Sequence, residues 1–139
     1  MTDTAIYWPL MAQVALTLVA YAVMSKRRVA AVRAEAAKAR DFKVPNDPEL
    51  SATAARNVSN QFELPVLFYV VCLAMYQTNG VDYLTVVLAW LFVVSRIAHA
   101  WGHMTSNSLR LRRPLFIAGF VLVFVMWVVF AIRIAGFGG

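Results

Sequence analysis

The chain has 139 residues, 61% of them hydrophobic and only 14% charged, with a mean hydropathy of +0.65. Soluble domains carry about one-quarter charged residues, so this composition excludes an ordinary water-soluble fold and points to one integral membrane domain. The net charge of +6 does not argue for nucleic acid, because the basic residues flank apolar runs, where anionic lipid headgroups and topology account for them.

Thr4–Ser25 is 22 residues without a charge, enough for the ~20 that cross a bilayer. No basic residue precedes it and Lys26, Arg27 and Arg28 follow it, which is not the pattern of a secretory signal. Tyr7 and Trp8 suit an interfacial belt, and Gln13 and Thr17 are expected to make interhelical contacts. The alanine-rich stretch Val29–Arg40 is compatible with a prolonged first helix, and Asp41–Asp47 with a loop. Asn46-Asp47-Pro48-Glu49 then reads as a helix start, a cap followed by proline and an acidic residue in the first turn, so the second helix is expected to begin near Pro48. Pro65 falls inside the second apolar segment, where it is expected to kink the helix or leave a carbonyl for another partner. The single Cys72, inside the same run, excludes an internal disulfide and a cysteine-only metal site. Asn79-Gly80 marks a turn, and the third span starts near Tyr83. Pro114 is expected to open the last helix, which runs uncharged to Ile132.

The pattern predicts an all-α membrane protein, a bundle of four transmembrane helices with spans at about 5–25, 60–79, 83–104 and 114–133. Lys26–Asp47 holds seven and Thr105–Arg113 three of the chain's thirteen basic residues. The positive-inside rule therefore puts both loops in the cytoplasm and both termini outside.

Ionisable residues in a span are costly in hydrocarbon and are expected to face the bundle interior with partners. Arg56, Asn60 and Glu63 are spaced four and three apart, one face of a continuous helix. Arg96, His99, His103 and Arg110 share a face if the third helix runs on past the membrane. Counted inward from the turn at ~1.5 Å per residue, Glu63 and His99 both lie about 24 Å down. The result is a polar pocket with a basic mouth, suited to an anionic ligand. Structural ion pairs, Arg56–Glu63 or Arg96–Glu63, are the competing reading. His99 and His103 have the i, i+4 spacing of a metal pair but no evident third ligand, so no metal is expected.

Arg56-x-x-x-Asn60-x-x-Glu63, followed by Pro65, resembles the second-helix motif of the MAPEG family, membrane-associated proteins in eicosanoid and glutathione metabolism. Arg96-x-x-His99-x-x-Gly102-His103, with Leu109-Arg110-Leu111 and Pro114-Leu115 after it, resembles that family's third helix and following loop, and Ser25-Lys26-Arg27-Arg28 the basic end of its first. The similarity covers nearly the whole chain and is to microsomal glutathione transferase-like members of bacterial type, hence an inner-membrane location. It implies a homotrimer that binds glutathione between subunits near the cytosolic face and turns its thiolate on a lipophilic electrophile, as a transferase or peroxidase. By position, Arg56, Asn60 and Glu63 would hold the peptide, with Arg28, Arg96, His99 and His103 around it, and Arg110 would stabilise the thiolate. His99 and His103 stand where leukotriene-forming relatives have tyrosines, and the first basic loop looks longer. The alternative within the same fold is a non-catalytic lipid-binding or scaffold protein. A small four-helix exporter is disfavoured because the first span lacks a carboxylate, and a thiol oxidase because Cys72 has no second cysteine.

Overall fold

The computed structural model describes residues 2–34, 47–105 and 109–136. A 3₁₀ turn at Asp3–Ile6 leads into α1 (Tyr7–Arg33); α2 (Glu49–Asn60), α3 (Leu64–Gln77), α4 (Tyr83–Met104) and α5 (Leu109–Ile134) follow. Four stretches are helical, long and apolar enough to cross a membrane: Asp3–Arg33, Ser51–Gln77, Tyr83–Met104 and Arg110–Ile134. The second of them is made of α2 and α3 in tandem.

The ends of the bundle are tied by polar contacts. At the basic end α1 continues past its apolar part, and Arg27 Nη2 donates to Met104 O at 2.9 Å, satisfying a carbonyl at the C-terminus of α4. Arg28 donates from Nε and Nη2 to the two oxygens of Asp47, at 2.8 and 2.7 Å, fastening α1 to the start of α2. Pro48 takes the capping position and Glu49 opens the helix, within a residue of the start expected near Pro48; Asn46 lies outside the described residues. At the opposite end Asn79 takes a positive φ of 53°, the left-handed turn that Asn tolerates. Asp82 then caps α4 in a reciprocal box with Thr85, and Arg133 at the end of α5 donates to Gly80 O and to the Asp82 carboxylate.

Between these ends the core is apolar: Phe68 stacks on Phe92 with ring centroids 4.4 Å apart, among Val71, Cys72, Met75, Val93, Val123 and Met126. Gln13 Nε2 donates to Gln61 Oε1 at 2.9 Å and so joins α1 to the end of α2, whereas the Thr17 hydroxyl donates within its own helix, to Gln13 O at 3.1 Å. Leu18, Leu67, Phe124 and Val128 point outward, as hydrocarbon allows.

Two expectations are corrected. The second helix is not continuous. Gln61 N and Phe62 N bond three residues back to Val58 O and Ser59 O, tightening the end of α2, and Glu63 has left the helical region (φ −98°, ψ −103°). Pro65, lacking an N–H, then sits in the first turn of α3. Arg56 and Asn60 stay on α2, and Glu63 lies across a break. The last helix, in turn, begins at Leu109, and Pro114 lies inside it.

α4 and α5 pack closely at Gly119, where a Cβ would lie 3.2 Å from Ser95 Oγ and 3.6 Å from Arg96 Cδ. Gly119→Leu is expected to lower stability by about 1–3 kcal/mol, read as a drop in the thermal unfolding midpoint in detergent. Leucine at the adjacent, exposed Ala118 should leave the midpoint nearly unchanged.

Candidate functional site

The break between α2 and α3 creates the site. It takes the Asn60 carbonyl out of the helical ladder, and Arg96 Nη2 donates to it from α4 at 3.2 Å. Arg96 is wholly buried, and its Nε and Nη1 have no hydrogen-bond partner among the described residues. The Asn60 side chain meets α4 two turns further on, where its Nδ2 donates to His103 Nε2 at 3.2 Å. With Nε2 accepting, a neutral His103 carries its proton on Nδ1, which is buried and unpartnered. His99 stands one turn nearer Arg96, its ring 5.2 Å from that of His103, and its Nδ1 likewise has no partner among the described residues.

A cavity of about 430 Å³ opens beside these groups, lined by Asn60, His99, Arg112, Arg113 and Phe116. Among the described residues the charges acting nearest to it are mostly positive. Arg112 acts electrostatically on both histidines and Arg56 on His103, while Glu63 is felt at Arg96 without an ion pair. Neither Arg56–Glu63 nor Arg96–Glu63 forms an ion pair among the described residues; the pairs there are Arg28–Asp47 and Arg133–Asp82.

The residues singled out in the sequence thus divide. Asn60, Arg96, His99 and His103 come together in the interior. Arg56, Glu63 and Arg110 lie exposed on the outside of the chain. Arg28 is engaged with Asp47, whose carboxyl it holds below the usual range, against the opposing effect of partial burial and with help from Ser51. Arg110 does not share the face of Arg96 and the histidines, because α4 ends at Met104 and Arg110 belongs to the next helix. Arg112, Arg113 and Phe116 were not singled out, although Arg112 and Phe116 continue the spacing of the buried face of α5.

A buried cation without an ion-pair partner weakens a fold. Arg96→Met, similar in size and uncharged, removes that charge but also the hydrogen bond to Asn60 O, and because the two effects oppose each other the thermal midpoint in detergent is expected to stay within a few degrees of the parent's. A fall of several degrees would make Arg96 a structural residue.

Comparison with curated proteins and with solved structures gives no match. The model of the MAPEG family matches residues 5–132. The break, the buried Arg96 and the histidine pair of α4 are therefore features of a membrane protein that belongs to the MAPEG family.

Proposed function

We propose that the protein is a membrane-bound glutathione transferase or peroxidase that works as a homotrimer on lipophilic electrophiles. The observation that carries this reading is Arg96, buried in a spanning helix with two nitrogens unsatisfied among the described residues, while Asn60, which it contacts, and His99, a turn away on its helix, line a cavity. Such a cation is expensive to keep unless an anion arrives from outside. Glutathione carries two carboxylates, an ammonium group and a thiol. Family membership supports glutathione metabolism in general.

Asn60, Arg96, His99 and His103 would offer hydrogen bonds from within one subunit. Exposed Arg56 and Glu63 would hold the peptide where a second copy meets the first, with Glu63 opposite the ammonium. Arg110, also exposed, would act across that boundary, and Arg28 would close the mouth if it left Asp47. The basic end would face the cytoplasm of a bacterial inner membrane. Bound thiol gives up its proton to water, and the thiolate attacks carbon, forming a C–S bond as the leaving group departs with its electron pair. With a hydroperoxide, two glutathiones become the disulfide while the substrate leaves as alcohol and water. The apolar Phe116 wall favours a second reading, an amphiphile held without catalysis.

Thiolate absorbance on adding glutathione separates the two, since only the first requires it. Glu63→Gln is expected to weaken glutathione binding by roughly ten- to a hundredfold, the about 1.5–3 kcal/mol of a charge-assisted contact, with the oligomer intact. Unchanged affinity in an intact oligomer would remove Glu63 from the site.

A further inference from the structure

α1 runs on past its apolar part, and the basic residues there have two different uses. Arg27 and Arg28 are taken up by the bundle, the first by Met104 O and the second by Asp47. Lys26 and Arg33 point away from it. They line a second cavity, of about 690 Å³, with Ser25, Val29, Ala30 and Ala34, and all six residues are exposed. Phase explains the division. Gln13, Ala20 and Ala31, buried on α1, fall within about 20° of one another at ~100° per residue, and Lys26, Val29 and Arg33 lie roughly 160–220° round the helix from them. Lys26 and Arg33 are two turns apart, about 10 Å along the axis, with Val29 and Ala30 between them. Their long side chains can close on one group lying over Val29.

The same stripe continues into the membrane. Ala15, Leu18 and Ala22 share the phase of Lys26 and Arg33 and are exposed. From Ala15 to Ser25 is about 15 Å of helix, one leaflet of a ~30 Å hydrocarbon core. Lys26 is the first charge after the uncharged run Thr4–Ser25, so it stands where the hydrocarbon ends and the phosphates begin. An apolar track one leaflet deep therefore leads up to a groove with a cation at each end. That order of chain, boundary and charge is the order of a phospholipid.

We infer that this groove binds an anionic phospholipid of the leaflet at the basic end, its phosphate between Lys26 and Arg33 and one chain along Ala22 and Leu18. The site lies within a single subunit and is independent of what the cavity beside His99 holds. A zwitterionic lipid would bring its own cation towards Lys26 and Arg33, whereas a lipid of net negative charge brings none. Soluble phosphate would match the two cations and leave the apolar track uncovered.

The test uses the full-length protein in detergent, titrated with dioleoyl phosphatidylglycerol or dioleoyl phosphatidylcholine, which differ only in the headgroup. Bound lipid is counted per chain by native mass spectrometry. The parent is expected to hold one phosphatidylglycerol per chain, roughly tenfold or more tighter than phosphatidylcholine. Lys26→Gln and Arg33→Gln should each lose roughly fivefold in affinity for phosphatidylglycerol, the effect of one basic residue near an anionic headgroup, and the double variant should bind the two lipids alike. Arg110→Gln removes a charge from the exposed start of α5 and should match the parent. Equal affinity of the parent for both lipids would overturn the inference. A loss in Arg110→Gln as large as in Lys26→Gln would do the same, by reducing the effect to net charge. Displacement of the lipid by inorganic phosphate would make the groove a site for a soluble anion. Dissociation of an oligomer in the double variant would make it a contact between subunits, and either result also ends the inference.

Discussion

Within a bilayer the backbone has no water to fall back on, so any interruption of a spanning helix must find its hydrogen bonds in the protein. The second span is interrupted at Gln61–Glu63, where Pro65 cannot donate and the end of α2 tightens by one residue. The Asn60 carbonyl that this releases is met by Arg96. A lysine would reach with a single point charge, whereas a guanidinium can serve the carbonyl with one nitrogen and keep others for a further partner. The interior of the basic half follows from that contact. Gln61, at the break itself, accepts from Gln13 and holds α1 to the same level.

The break also decides which charges meet. On an unbroken helix Glu63 would share a face with Asn60 and stand opposite Arg96. With the turn inserted, Glu63 is exposed and Arg96 has no carboxylate in contact among the described residues. Among the described residues the chain therefore buries the positive charge of Arg96 and displays the negative charge of Glu63 on the surface. That distribution weakens an isolated fold and suits a site completed by an anion and by a second copy, the common exchange of stability for binding.

Much of this was legible in the residues. Apolar runs of bilayer length marked the four spans, because hydrocarbon selects on composition alone, and the depth count from the Asn79 turn put the polar residues of two helices at one level. What the pattern missed was phase. The effect of Pro65 appears a turn earlier, in the tightened bonds of Gln61 and Phe62, and residue spacing gives no sign of it. The polar residues between Met104 and Leu109 look compatible with a continued helix, yet a new one starts and resets the angle. Arg110 then turns outward and Arg112 inward. The signal for Arg112 was present in the 112–116–119–123–126 spacing, but only the close packing at Gly119 identifies which face of an almost uniformly apolar helix is buried.

If the buried cation exists for an anionic ligand, stability and binding must be linked through Arg96. The direct measurement is the thermal unfolding midpoint of the parent and of Arg96→Met in detergent as glutathione is raised. A ligand that binds only the folded protein stabilises it by RT ln(1 + [L]/Kd), so the midpoint reports occupancy without any assumption about catalysis. The expected result is a midpoint that climbs with glutathione in the parent and stays flat in the variant. A parallel climb in both proteins, or a parent that does not respond, would contradict the account.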